Sequence, residues 1–259
     1  MAGLRKPKTL SESLVYMVYG PSGVGKTSLA DDPGFVSLVI NAAGEDGDAV
    51  LAHSQHCFVY DVNSWQELID VYKGLQKGEL PDENGEPVKL SDLGINNVML
   101  DSLGRLQELC KDYILQLAPD TRRPVKGIFG AQQDWGLLRD RFLNMVKAFH
   151  SLAKQKKFHL GLIAHSKEVQ DENGMILIRP ALQGGDTPDI VMAMTDATFF
   201  MYKKKDEEGN VRRYFITDAD GKVFAKHRKP KTAPALPLQV EDPQISRIIK
   251  YLSGETTEL

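Results

Sequence analysis

Residues 14–30 read LVYMVYGPSGVGKTSLA, and this stretch decides the fold. Leu14 to Tyr19 is a short apolar run, the pattern of a strand buried on both faces. Gly20 to Ser28 (GPSGVGKTS) fits G-x-x-x-x-G-K-[ST] at every fixed position. That spacing has a physical reason: glycines let the backbone close around an anion with successive N–H groups turned inward. A helix opening at Ser28, Leu29 and Ala30 would present its N-terminus to the same anion. Lys26 would reach the β- and γ-phosphates of a nucleoside triphosphate, and the Thr27 hydroxyl would ligate Mg2+. Gly20, Pro21, Ser22, Gly23, Val24, Gly25, Lys26, Thr27 and Ser28 are therefore the expected cofactor-binding residues. A strand directly before the motif and helix-forming residues directly after it set it apart from an ordinary glycine-rich turn.

Working outward, Phe35 to Ile40, Cys57 to Tyr60, Asn97 to Asp101 and Phe158 to Ala164 read as further buried strands. Ser64 with Glu67 three residues on forms a capping box for a helix carrying Leu68, Ile69, Tyr72 and Leu75. Lys77 to Ile95 is a polar connection rich in turn residues. Leu103 to Leu117 reads as a helix, Ala118 to Gly130 as a loop. A long amphipathic helix then carries Trp135, Leu138, Phe142, Met145, Phe149 and Leu152. Beyond Lys167 the texture changes to hairpins. One turns at DENG, and Thr198 to Tyr202, Val211 to Thr217 and Lys222 to Ala225 are short strands joined at EEGN and DADG. Strands alternating with helices predict a parallel α/β sheet, which the late hairpins extend at one edge. The expected organisation is an arm over 1–12, a core over 13–228, a linker over 229–241, and a terminal helix and tail over 242–259, with Pro243 at the first helical position.

The partner of the phosphate loop is Asp101, at the end of the run NVMLD, as the second metal carboxylate beside Thr27. A helix N-cap is the other reading of Asp101. Ser102 stands where AAA+ proteins usually keep a water-activating glutamate, so that carboxylate must come from elsewhere. Asp101 to Gly104 also matches the D-x-x-G of GTPases, but no N-K-x-D guanine reader accompanies it, which favours ATP. Small-molecule kinases would want an arginine-rich lid, and hairpins stand there instead. Ligands of an open α/β sheet sit beyond the carboxyl ends of its strands. Glu45, after the strand ending in Ile40, is therefore the expected general base, with Asp46 as second candidate and a solvated loop acid as the bland alternative.

The segments GPSGVGKTS, VMLDS, QQDWG (132–136), LIAHSKE and AKHR (225–228), in this order, resemble the RecA-like superfamily. Within it they resemble the phage-encoded single-strand annealing recombinases of the Sak-four type, over roughly residues 13 to 230. The resemblance implies a RecA-like P-loop domain, a mainly parallel twisted sheet flanked by helices, with C-terminal antiparallel hairpin strands. It implies Mg-ATP hydrolysis, non-specific single-stranded DNA as partner, and a homo-oligomeric ring or filament. It places His165 as a polar sensor at a strand end, against a plain structural histidine. Lys226 and Arg228 become the K-x-R pair that reaches a neighbour's nucleotide, against a solvated charge run KHRKPK. By position the DNA loops are 118–132, with Arg122, Arg123, Lys126 and Phe129, and 167–186, with Lys167 and Arg179; the alternative is two exposed loops. Relatives carry an acidic pair close to D-x-E-G-G, whereas here the first position is Asn41 and the glutamate follows Gly44.

The bulk numbers bound these expectations. With 259 residues and 42% hydrophobic content the chain can bury a full core. Its net charge of −3 is not that of a strongly basic nucleic-acid binder, so DNA contact must be local and salt-sensitive. Cys57 and Cys110 form no CxxC, and His53, His56 and Cys57 lack a fourth ligand at zinc spacing. No apolar run reaches the ~18 residues of a membrane span, which leads us to expect a reducing cytoplasm, that of a phage-infected host if the resemblance extends so far. The tail Ser253 to Leu259 reads as a frayed end, with a docking tail for a single-strand-binding protein as the other reading. The expected function is an ATP-dependent recombination protein that binds single strands and promotes annealing or pairing. Its rivals are a ring ATPase of helicase or helicase-loader type and a nucleotide-gated oligomeric switch that binds protein.

Overall fold

The structure, a computed structural model, describes residues 13–42, 44, 47–117, 129, 132–231 and 233–259. In chain order the elements are β1 (Val15–Gly20), β2 (Ser37–Ala42), β3 (Cys57–Val62), α1 (Trp65–Lys77), β4 (Glu79–Pro81), β5 (Pro87–Lys89), α2 (Leu90–Leu93) and β6 (Asn97–Asp101). They continue with α3 (Leu103–Leu117), α4 (Gln132–Lys156), β7 (His159–Gln170), β8 (Ile176–Pro180) and α5 (Thr187–Met194). Last come β9 (Ala197–Lys205), β10 (Val211–Ile216), β11 (Lys226–His227), β12 (Gln239–Glu241) and α6 (Ile245–Ser253).

The main sheet runs β12-β10-β9-β1-β7-β6-β2-β3, with β11 on β9 and β8 on β7. From β9 to β3 every neighbouring pair is parallel; β10 and β12 add antiparallel strands at one edge. A strand, β7, is thus inserted between the phosphate-loop strand β1 and the Asp101 strand β6. This is the mainly parallel α/β sheet, with antiparallel strands at one edge, that the sequence predicts. β1 is buried on both faces because its side chains alternate. Val15, Met17 and Tyr19 join the layer built with Leu68, Leu106, Phe142 and Phe149 from α1, α3 and α4. Leu14, Tyr16 and Val18 join the opposite layer with Leu29, Phe199, Phe215, Ile245, Ile248 and Leu252.

A buried polar chain ties the central strands together. The Tyr16 hydroxyl donates to Asn97 Oδ1 at 3.0 Å, Asn97 Nδ2 to Ser37 Oγ at 3.0 Å, and Ser37 Oγ to Ala30 O at 2.7 Å. Each member is satisfied, which is what makes a polar chain tolerable in a core. Burial pushes the Tyr16 phenol far above its ordinary range. At the same end of β1, His159 Nδ1 accepts from Leu14 N at 3.1 Å, and burial pushes its pKa down to about 4. The folded imidazole therefore stays neutral while the unfolded one takes a proton near its ordinary value of 6.5. Between those two values the unfolded state binds more protons, so stability falls as pH drops. The thermal midpoint is expected to decline from pH 7 to pH 4.5 in the wild type, and to decline less in His159→Gln.

Several local expectations change. The capping box forms, with Glu67 N donating to Ser64 Oγ at 3.1 Å, but the Glu67 carboxylate reaches Asn63 N at 2.7 Å and not Ser64 N. Trp65, Leu68, Val71 and Leu75 are the buried face of α1, with Ile69 and Tyr72 only half-buried. The polar connection 77–95 holds the β4–β5 hairpin and α2, because its turn residues close a two-stranded ribbon over Leu80. Within Lys222 to Ala225 only Val223 makes single bridges, and the strand forms directly after this stretch as β11. The stretch 229–241 ends in β12, which pairs with β10. Pro243 precedes Gln244, the N-cap of α6, and so lies outside the helix.

Candidate nucleotide site

The loop leaves β1 at Gly20, where only hydrogen fits: a Cβ there would meet the Met201 carbonyl of β9. Gly23 and Gly25 take φ values of +72° and +97°, the left-handed region that side chains disfavour. Such turns aim backbone N–H groups inward and make an anion cradle. Lys26 is 6% exposed, and its Nζ donates to Gly20 O at 3.1 Å and Pro21 O at 2.7 Å. The ammonium therefore lies inside the loop. Thr27 Oγ1 donates to Asp101 Oδ2 at 2.7 Å, and Asp101 is buried at the end of β6. Thr27 and Asp101 thus sit together as the metal reading requires. The peptide Asp101–Ser102 is cis.

A hydroxyl and a carboxylate in direct contact are hard oxygen donors of the kind Mg2+ takes, with phosphate oxygens and water completing its shell. The donor set, the glycine cradle and the buried ammonium fit a Mg-nucleotide. Bound there, the metal would neutralise charge on the β- and γ-phosphate oxygens. Around it the chain's own groups have defined positions. His165 on β7 lies in register with Gly20, beside the loop and on the Asp101 side. Asn41 at the end of β2 lies in register with Asp101 and donates through Nδ2 to Asp61 Oδ1 at 2.7 Å. The guanidinium of Arg105, in the first turn of α3, packs against Gly44, 2.7 Å from where a Cβ would stand. Glu45 and Asp46, the two expected bases, lie outside the described residues, as do Arg122, Arg123 and Lys126.

One expectation about the loop is corrected. Where a helix was predicted from Ser28, only a single 3-10 turn forms, Thr27–Ala30. The stop is written in Asp31-Asp32-Pro33-Gly34: proline disfavours a helical residue before it. The Asp32 carboxylate is then taken by Gly34 N at 3.0 Å and Ser246 N at 2.8 Å, which seats α6 beside the loop. Few aligned peptides therefore back the anion cradle, and other cations stand near it. Lys203 Nζ on β9 donates to Gly23 O at 2.6 Å. Arg213 on β10 lies against Gly25, 3.0 Å from a Cβ placed there. No sequence signal near the motif points to either residue; the strand pairing alone brings them in.

The remaining predicted residues fall elsewhere. Lys226 and Arg228 sit where β11 pairs with Ala197 and Thr198, at the start of β9. Ala197 and Thr198 are in register with Tyr16 and Met17, so this part of the sheet lies roughly 10–13 Å from the loop along the strand. Neither side chain serves this chain's own phosphate loop. Both donate to Ala193 O, and Arg228 also pairs with Asp196 at 3.6 Å. The segment 167–186 begins with the hairpin expected around DENG, the end of β7 paired with β8, and only 181–186 lies outside it: Lys167 is on β7 and donates to Leu182 O at 2.7 Å, while Arg179 on β8 pairs with Asp189 at 2.8 Å. Its last part is pinned by Gln107, whose Oε1 accepts from Gln183 N at 2.8 Å, and by Arg139, whose Nε donates to Asp186 at 2.8 Å. Phe129 packs edge-on against Trp135 at 5.0 Å, with Lys111 Nζ 5.5 Å from its ring centre. Among the described residues no group of three or more His, Cys, Asp or Glu could hold a metal, and no helix is long and apolar enough to cross a membrane.

Comparison with known proteins places the chain in a family. A search of curated proteins found no match. A solved structure, the KaiC-like protein PH0186 from the hyperthermophilic archaeon Pyrococcus horikoshii OT3, is similar at a TM-score of 0.40 and 9% identity, covering 78% of this chain and 77% of that one. A family model described as an AAA domain matches residues 12–229, most of the chain and all of the site above. Ser102 remains without the carboxylate that many AAA+ proteins carry there. With the phosphate loop, Thr27 and Asp101 assembled as described, the chain belongs to the AAA-domain family of P-loop ATPases.

Proposed function

We propose that this chain hydrolyses Mg-ATP to drive a DNA recombination step, binding single strands and promoting their annealing or pairing as a ring or filament. The observation that carries the ATPase half is the Thr27–Asp101 hydrogen bond at 2.7 Å beneath a glycine cradle with Lys26 inside it. The DNA half rests on the resemblance of VMLDS, QQDWG, LIAHSKE and AKHR, in order, to phage annealing recombinases. ATP acts as a conformational switch between subunits, and hydrolysis resets the assembly. Glu45 is the favoured base, His165 relays the γ-phosphate state along β7, and Lys226 and Arg228 reach a neighbour's nucleotide from the far end of the sheet. A setting in the host cytoplasm belongs to the same reading, as does docking to a single-strand-binding protein.

A specific observation favours a second reading, the nucleotide-gated switch that binds protein. Lys167 and Arg179, two of the expected DNA cations, are engaged within the chain. The ATPase rate with and without oligo-dT, at low and high salt, separates the two. The recombination reading expects DNA to raise the rate and salt to cancel the increase. An unchanged rate, with ATP-dependent oligomerisation intact, would rule out the DNA half and leave the switch.

A further inference from the structure

We propose that Arg213, with Lys203 beside it, is a nucleotide-binding residue that holds the α- and β-phosphates from within the same chain. This rests on the nucleotide reading of the phosphate loop. Lys203 and Arg213 face each other directly across the antiparallel β9–β10 pair. Like charges in that relation repel, and an anion between them would remove the penalty. Lys203 is anchored to the loop through Gly23 O at 2.6 Å. The Arg213 guanidinium lies flat on Gly25, with Cζ 3.0 Å and Nε and Nη1 3.1 Å from the position of an added Cβ.

Arg213 is half-buried, yet its side chain makes no hydrogen bond or ion pair among the described residues. Its neighbour Arg212 does the opposite. It pairs with Asp206 at 3.3 Å, Glu241 at 3.7 Å and Asp242 at 3.0 Å. The acids of this sheet edge thus neutralise Arg212 and leave Arg213 facing the loop. The Arg213 backbone is fixed in turn, since Asp242 N donates to its carbonyl at 2.7 Å. A fixed, unpaired fork of N–H donors beside a glycine cradle suits phosphate oxygens.

Strand order selects which phosphates. Thr27, Asp101 and His165 lie on the β7–β6 side of the loop, which assigns the metal and the γ-phosphate to that side. β9 and β10 lie on the other side of β1, where the α-phosphate end of the nucleotide must run. The single 3-10 turn behind the loop offers few aligned peptides, and the two cations supply positive charge in their place.

The test is the affinity of the full chain for ADP and for ATP, each with Mg2+, in the wild type, Arg213→Ala, Arg213→Gln and Lys203→Ala. Both Arg213 variants are expected to weaken ADP and ATP equally, on the order of tenfold, with Lys203→Ala weaker in the same sense. The glutamine variant keeps a side chain of similar reach, and an unliganded melting point equal to wild type separates lost contact from lost fold. Unchanged affinities would overturn the proposal. Weakened ATP with unchanged ADP would overturn the α/β assignment and move Arg213 to the γ side. A wild type that binds neither nucleotide would overturn the nucleotide reading itself, and this inference with it.

Discussion

Lys26→Ala should lose ATP binding and turnover together. The ammonium lies inside the loop, 3.1 Å from Gly20 O and 2.7 Å from Pro21 O, and only 6% of the residue is exposed. A charge that far from water acts on a phosphate with little screening. Removing one partner of a buried charged pair costs about 3–5 kcal/mol, which is roughly a 10²- to 10⁴-fold loss of affinity. On this reading the same ammonium would stabilise charge on the transferring phosphoryl group, so turnover should fall at any substrate concentration. Lys26→Met, which keeps the apolar stem, should behave alike, showing that the charge and not the packing is responsible. Turnover at the wild-type rate in either variant would contradict the placement of the site.

The second large effect is steric. A Cβ at Gly20 would run into the Met201 carbonyl, and both backbones are held in the parallel β1–β9 pair in which Tyr19 meets Phe200. Neither strand can step aside, because β1 is buried on both faces and pairs with β7 on its other edge. Overpacking of this kind costs about 3 kcal/mol or more. For a chain of this size that lowers the melting point by roughly 6–12 °C. Gly20→Ala should therefore melt far below wild type, measured without nucleotide. Gly136→Ala is the contrast: it lies in α4 with nothing within 4 Å of the added methyl, and φ is not positive. There the change should stabilise by about 0.5–1 kcal/mol. Equal melting points for the two variants would refute the steric argument.

The legible parts of this chain were those whose chemistry is local. The apolar run Leu14 to Tyr19 and the glycine spacing after it gave the strand and the loop, and NVMLD gave the strand that brings Asp101 to Thr27. Helices α3 and α4 follow three- and four-residue apolar spacing: α3 runs over the expected Leu103 to Leu117, and α4 buries Leu138, Phe142, Phe149 and Leu152 among the positions expected of it. The helix expected after the loop ends within one turn, because Asp31-Asp32-Pro33 stops it where the motif's usual sequel would continue. The β4–β5 ribbon and β12 were missed because three-residue strands are too short to show alternation. Arg213 could not be found at all from local pattern. Its place over Gly25 depends on the long-range β1–β9 pairing that brings Ala197 to Tyr16, and the basic residues Arg212, Lys204 and Lys205 around it look the same in sequence. Phe129 and Lys167 were assigned by position in a family. The structure occupies both with contacts inside the chain.

The central claim is that the loop at the top of β1 and the carboxylate at the end of β6 form one Mg-nucleotide site. Calorimetric titration of the wild-type chain with a non-hydrolysable ATP analogue, first with Mg2+ and then with EDTA, tests it directly. The account predicts saturable binding of one analogue per chain, markedly weaker once the metal is chelated. Absence of saturable binding with Mg2+ at millimolar analogue, or binding that Lys26→Met and Asp101→Asn leave untouched, would contradict it.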